Sequence, residues 1–514
     1  MGLAPFFDRA RQSVAQVLRD VDPDAFERRL AETVVTLAFD LQAASTAEGL
    51  ASLDMAARLI ARLYPRVRVR VLDGDDVLAD ELIALMRNIN PNLEIVTEIG
   101  AELQVAVVAG GTKLDSDATI YMGSDRWIAR VSTIAPVRSG GGPNPFGAGA
   151  AACIAIANVF RAVFASWMAK PGLDVDVTFS LLNFEMGELA ANVDIRAGLD
   201  FGLVQLAGVG AIGNAFVWAM SRLRGVKGEI DLIDHETVDL TNLQRYLLTA
   251  ITDVDASKVT LAALALKDSG IEARSFAMTW AGYVEQTGHY RFDRVAVALD
   301  TVRDRIQVQS SLPRRVYNAW TQAGDLGISR HEFDGNEACL ACLYLPTGKR
   351  RNEDEIVAEE LGLRTQEQVL RVRALLHLGT PVGEQFVREI AANLGTNAQA
   401  LLPFVDLPLR AFRQKAICGN AILRAADGAG PELEVPMAFQ SALAGVMLAA
   451  EIVASTPNVR AAPPSTRSVV DLTRALPGRI TFPTLKRAPG LVRCICQDPD
   501  YVSVYRAKYG AKAV

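Results

Sequence analysis

The sequence predicts an α/β protein of two related parallel-sheet halves, the second interrupted by a helical insert. Three observations predict this. The first is a glycine turn with G-x-G-x-x-G spacing at Gly208, Gly210 and Gly213, set between the apolar run 203–207 and a small-residue, helix-patterned stretch over 214–223. The second is an echo: NPFGAGAAACIAIANVFRAVFAS (144–166) and VPMAFQSALAGVMLAAEIVAS (435–455) both start at a proline and run small and apolar, which suggests a duplicated half. The third is the stretch 349–414, charged at its start and helical in period afterwards, with few strand signals.

Length and charge set the frame. At 514 residues the chain holds about three domains. Half the residues are apolar and 22% are charged, a globular balance. A net charge of −6 argues against nucleic acid as a partner, because phosphate backbones call for a basic face. The four histidines (235, 289, 331, 377) do not stand at metal-ligand spacing. The N-terminus is charged throughout and has no apolar core of a signal peptide. The apolar stretches 148–167 and 437–455 each carry polar interruptions, Asn158 and Arg161 in one and Gln440, Ser441 and Glu451 in the other. They read as buried helices rather than membrane spans, and a cytoplasmic location is expected.

In chain order, 6–30 reads as amphipathic helix broken near Pro23. Strands are expected over 67–72, 93–97, 103–110 and 119–123, with helices before and between the first two, and a helix over 147–164. This first half lacks the glycine turn and the polar series that follows it, so it cannot hold a nucleotide in the same way. The expected domains are 1–195, 196–350, 351–430 as helical insert, and 431–514 as the remainder of the second half with its tail.

The chemistry gathers beyond the glycine turn. Glycines let the backbone approach a ligand, the helix N-terminus offers unpaired N–H groups, and the acid closing the next strand, Asp234, suits ribose hydroxyls. NAD, FAD and ATP sites share those parts. Asn242, Arg245 and Lys258 follow in order, two cations and an amide. A dehydrogenase does not need them there, because its chemistry lies at the nicotinamide. Attack on the α-phosphate of ATP does, since charge builds as pyrophosphate leaves. Cys339 and Cys342 form a C-x-x-C and Cys494 and Cys496 a C-x-C, the inventory of a four-thiolate zinc site tying the tail to the core. Cys418 has Arg413 and Lys415 close before it and Gly419 after, a setting that favours a thiolate nucleophile. Cys153 lies in an apolar helix and reads as core.

The run Asp234-His-Glu236-Thr-Val238-Asp-Leu-Thr-Asn242-Leu-Gln-Arg245, with Lys258 thirteen residues on, resembles the ubiquitin-activating enzymes and their bacterial ThiF–MoeB relatives that adenylate sulfur-carrier proteins. The pattern of those enzymes is D-x-[DE]-x-V-x-x-x-N-L-x-R, then a lysine. Its next part is an Asp closing a strand with an Arg five positions later, here Asp300 and Arg305. The resemblance implies two Rossmann-like adenylation halves, the N-terminal one degenerate, with the catalytic cysteine, here Cys418, in the helical insert. It implies ATP with Mg²⁺ held by Asp300, and Gly208, Gly210, Gly213, Asp234, Glu236, Asn242, Arg245, Lys258 and Arg305 around the nucleotide. It implies structural Zn²⁺, although the usual second pair is C-x-x-C. The implied partners are a ubiquitin-like protein and a conjugating enzyme, as in bacterial ubiquitination-like pathways, and a homodimer is allowed. In such enzymes the inactive half or a dimer mate lends an arginine to the phosphates, for which Arg9 and Arg11 stand as candidates by position. A C-terminal ubiquitin-fold domain is not visible after Cys496. Three alternatives stay open: an adenylyltransferase that forms no thioester, an NAD-dependent oxidoreductase, and a decayed scaffold.

Overall fold

Two sheets carry the molecule, and each is laid out in the same order around its first strand. In the computed structural model the described residues are all except 1, 19–21, 99, 346–352, 414–415, 417–434, 488–492 and 511–514. The first sheet comprises β1 (Thr33–Phe39), β2 (Arg66–Val71), β3 (Glu94–Ile95), β4 (Leu103–Ala109), β5 (Ala118–Asp125), β6 (Ile128–Ser132) and β7 (Asp176–Ser180), in the order β3-β2-β1-β4-β5-β6-β7. The second comprises β8 (Leu199–Ala207), β9 (Val226–Ile233), β10 (Ile271–Phe276), β11 (Arg294–Val297), β12 (Arg315–Thr321), β13 (Leu326–Glu332), β14 (Arg467–Val470) and β15 (Thr481–Phe482), in the order β10-β9-β8-β11-β12-β13-β14-β15. In both, the first five strands pair in parallel and the later ones antiparallel. These are two Rossmann-like halves. The sequence reading left out β1, the central strand of the first sheet. Its seven residues, TVVTLAF, are buried on both faces, so no alternation marks them as strand.

The echoed segments occupy matching places. The helix Phe146–Val163 follows β6, and the helix Ala438–Ala454 follows β13, each being the sixth strand of its half. Both are buried along nearly their whole length, so an all-round apolar composition reflects a place at the centre of the protein. They pack on one another and the second also packs on the helix Ala211–Arg222. Phe160 and Phe439 meet across that seam with ring centroids 5.8 Å apart.

One buried acid ties the halves together. Glu451, on the helix Ala438–Ala454, is 0% exposed and accepts from Arg330 Nε at 2.7 Å and Arg460 Nη1 at 2.8 Å. The Arg330 guanidinium lies 4.5 Å over the Phe184 ring of the first half. Burial alone pushes the Glu451 carboxyl up, but Arg330 and Arg460 override it and hold the carboxyl below its ordinary value of 4.5. A depressed folded value means that the stabilisation is present above 4.5 and is lost as pH falls through the folded value. Glu451→Gln is expected to cost about 3–5 kcal/mol at pH 7, because two buried guanidiniums lose their counter-charge. Its thermal midpoint should also fall less than the wild type's between pH 5 and pH 3; parallel slopes would refute the assignment.

Residues Pro346–Glu434 make a separate helical unit. Helices Glu353–Glu360, Gln366–Leu378, Glu384–Asn393, Ala398–Leu401 and Leu409–Phe412 enclose a core that includes Val357, Leu361, Val372, Phe386, Ile390 and Phe412. Thr365 and Gln368 form a reciprocal capping box that starts the second helix, and Gly379 at φ +65° ends it.

Candidate active site

The glycine turn is built for close approach. Gly208 follows β8 at φ +94°, and a Cβ there would sit 2.7 Å from the Ala298 carbonyl oxygen at the end of β11. A Cβ on Gly213 would sit 2.3 Å from the Gly208 carbonyl oxygen, so helix and turn can touch only without side chains. The helix Ala211–Arg222 begins at Gly210 without a side-chain cap, leaving its first N–H groups to face a ligand. Asp234, at the end of β9, accepts from the Val209 amide at 2.8 Å and the Glu236 amide at 2.9 Å, and so locks the turn to the neighbouring strand.

The crossover from Asp239 to Lys258 brings the cations in. The Asn242 carboxamide accepts from the Asp239 amide at 3.0 Å, closing a capped turn that delivers Arg245. Its oxygen therefore shapes the loop. Arg245 is half-buried, and its Nη1 is shielded from solvent and meets no acceptor among the described residues. Burial pulls the Arg245 pKa down, while the negative potential of Tyr246 and Asp300 opposes it. Lys258 is 4% exposed and pairs with Glu236. Burial would lower its pKa, yet Tyr246, Asp234 and the Glu236 hydrogen bond raise it, so the ammonium stays charged. Asp300 lies exposed beyond β11. An unmatched guanidinium donor, a buried ammonium and an uncapped helix end suit a polyphosphate, with Asp300 available for its cation.

Tyr246 is the site residue that sequence reasoning missed. Its hydroxyl hydrogen-bonds Lys258, and a Cβ on Gly210 would lie 3.5 Å from that oxygen. The Lys258 ammonium lies 5.1 Å from the ring centroid. Arg9, from the helix Phe7–Ala15 of the first half, also reaches this place. Its pKa is lowered to about 10 by burial and then by the charge of Arg245, with Asp239 opposing. The same helix is joined to the crossover by Gln244 Nε2 donating to Ser13 Oγ at 2.9 Å. Arg11 instead pairs with Asp8 and Glu27 at 3.6 and 3.8 Å. Arg305 does not join the cluster: it is 5% exposed and donates to Asn318 at 2.9 Å and the Tyr344 hydroxyl at 2.6 Å.

The first half differs at the matching place. Where Gly208 follows β8, Asp40 follows β1, and its carboxylate accepts from Ala43 N at 3.2 Å, Gly111 N at 2.8 Å and Thr112 Oγ1 at 2.8 Å. An internal anion therefore occupies those donors.

Cys339, Cys342, Cys494 and Cys496 converge, all four sulfurs lying within 4.8 Å of one another and the closest pair at 3.4 Å. Tetrahedral zinc with bonds of about 2.3 Å has S···S edges of about 3.8 Å. The C-x-C pair therefore serves as well as C-x-x-C, and the cluster is compatible with zinc. Cys418 and Lys415 lie outside the described residues. Arg413 does not stand ready to activate a thiol, because its guanidinium forms a two-pronged pair with Glu360, Nη2 at 2.9 Å.

Comparison with known proteins places these features. The ThiF family matches residues 194–476, more than half of the chain. The chain belongs to the ThiF family. Activity of the adenylyltransferase type goes with that membership. The uncharacterized protein y4jF of Sinorhizobium fredii (strain NBRC 101917 / NGR234) is 44% identical over 514 residues, covering 99% of this ThiF-family chain and 98% of that protein. The tRNA threonylcarbamoyladenosine dehydratase of Bacillus subtilis (strain 168) is 31% identical over 139 residues, 26% of this chain and 54% of that protein. E. coli MccB crystallised with MccA gives a TM-score of 0.27 at 22% identity, over 34% of this chain and 53% of that one. Prokaryotic E2 family C matches residues 38–165. The one cysteine in that span, Cys153, is 0% exposed within the helix Phe146–Val163, and burial pushes its pKa up. This ThiF-family chain therefore offers no accessible thiol there.

Proposed function

We propose that the chain activates the C-terminal carboxylate of a ubiquitin-like protein by adenylation, takes the acyl group onto Cys418 as a thioester, and passes it to a conjugating enzyme. The observation that carries the first step is the gathering of Arg245, Lys258, Tyr246 and Arg9 at an uncapped glycine turn. A carboxylate oxygen of the modifier attacks the α-phosphorus of ATP, the bond to the bridging oxygen breaks, and pyrophosphate leaves. Asp300 would hold Mg²⁺, which supplies charge neutralisation at the phosphates. Lys258, Arg245 and Arg9 neutralise the phosphate oxygens, and the Gly208–Gly213 backbone lets the nucleotide approach. The Cys418 thiolate then attacks the acyl carbon of the mixed anhydride, the acyl C–O bond breaks, and AMP departs with the bridging oxygen.

In this reading residues 1–195 are a degenerate adenylation half, with Asp40 in the phosphate place and Arg9 lent to the active half, and 351–430 carry the acceptor cysteine. Zinc at the four thiols fits a reduced cytoplasmic setting. The test uses purified chain, Mg-ATP, radiolabelled pyrophosphate and a small β-grasp protein with a free tail. Wild type should exchange label into ATP and form a thiol-sensitive conjugate. Cys418→Ala should keep exchange within about threefold, since the thiol acts after adenylation, and lose the conjugate entirely. An unchanged product from Cys418→Ala would make the chain an adenylyltransferase that works without a thioester.

A further inference from the structure

Arg62 lies in the first half, just beyond the helix Ala47–Ile60, and is 1% exposed. Among the described residues it makes no ion pair. Its guanidinium instead donates to backbone carbonyls. One Nη bonds the Arg58 carbonyl, and the other bonds those of Tyr246, Leu247 at 3.0 Å and Thr249 at 3.1 Å. Arg58 adds a bond to the Leu247 carbonyl at 3.1 Å. A buried cation without a touching carboxylate is costly, and carbonyl dipoles converging on it offset that cost only while the strand of chain carrying them stays in place. That strand follows directly on Arg245. Its first residue, Tyr246, is held at both ends: its carbonyl by Arg62 and its hydroxyl by Lys258, beside Gly210.

We propose that Arg62 is a positioning residue for the nucleotide site, acting from the degenerate half through Tyr246 to set where Arg245 and Lys258 stand. The proposal rests on reading the glycine turn as an ATP site. It gives the first half a role in nucleotide affinity besides any arginine it lends to the phosphates. Lysine cannot replace Arg62, since its single ammonium cannot reach both the Arg58 carbonyl, bonded by one Nη, and the Tyr246, Leu247 and Thr249 carbonyls, bonded by the other.

The test measures Mg-ATP binding to the full-length chain at equilibrium, with pyrophosphate exchange alongside. Arg62→Ala should weaken ATP binding about tenfold or more, the scale of a lost charge-assisted contact, and raise the KM for ATP more than it lowers kcat. Arg62→Lys should recover little of the loss, and added methylguanidinium should restore binding to Arg62→Ala. A merely structural role would lower the thermal midpoint without a KM-selective effect or chemical rescue, and that result overturns the proposal. If Arg62→Ala fails to fold, Arg62→Lys decides, and wild-type ATP affinity in it refutes the assignment. Wild-type protein that binds no Mg-ATP would instead defeat the reading of the site itself.

Discussion

Lys258→Ala is expected to lower pyrophosphate exchange by about 10²–10³-fold, the usual cost of removing one fixed charge-stabilising group. The residue is 4% exposed, charged despite burial, and held between Glu236 and Tyr246, so its ammonium is in position before any ligand arrives. Its removal leaves Glu236 as an uncompensated anion beside the phosphate place, which adds repulsion to the lost attraction. Lys258→Arg should rescue poorly, because a larger planar head cannot take the ammonium's place between Glu236 and the Tyr246 ring, whose centroid lies 5.1 Å away. ATP affinity should fall less than the exchange rate if the charge matters most as pyrophosphate departs. Exchange within threefold of wild type would remove Lys258 from the mechanism.

Loss of the four-thiol cluster should have a comparable effect on stability. Structural zinc sites in isolated peptides contribute about 10–16 kcal/mol, which is large against the total folding free energy of a protein, about 5–15 kcal/mol. Here the cluster joins the segment after β13 to the C-terminal helix Pro499–Tyr509, which docks as well by Tyr505 and Tyr509 hydroxyl contacts, the Tyr505–Phe333 ring contact, Lys508 Nζ on the Ser311 carbonyl and the Arg506–Asp334 pair. Wild type should carry one zinc per chain by elemental analysis. Cys494→Ser should carry none, melt at lower temperature, and be cut by trypsin after Arg506 or Lys508. Zinc should also leave as pH falls, since only thiolates bind it. Metal-free wild type in which Cys339, Cys342, Cys494 and Cys496 are alkylated as readily as in the metal-stripped protein would refute the site.

Much of the candidate site was legible because the residues gathered there are local in sequence. Glycine spacing, Asp234, Arg245 and Lys258 are delivered by one strand, one helix and one crossover. The echo at 144–166 and 435–455 was legible for a related reason: a helix enclosed on every side keeps small and apolar residues all round. What escaped depends on contacts distant in sequence or on burial from both faces. Arg62 meets the crossover across 184 to 187 positions, and no pattern within either segment announces it. Tyr246 follows Arg245 as an ordinary aromatic until folding sets its hydroxyl on Lys258. Arg305 stands at the expected spacing from Asp300, yet the helix Val302–Ser310 turns it towards Asn318 and Tyr344.

Asp40 makes the two halves unequal in a further respect. A carboxylate fastened to the main chain never dissociates, so under the proposed function the donors around Asp40 stay occupied through every turnover. On that reading the first half is a stationary wall against which the second half empties and refills. Titration should accordingly saturate at a single triphosphate per polypeptide, and turnover should loosen only one side of the protein.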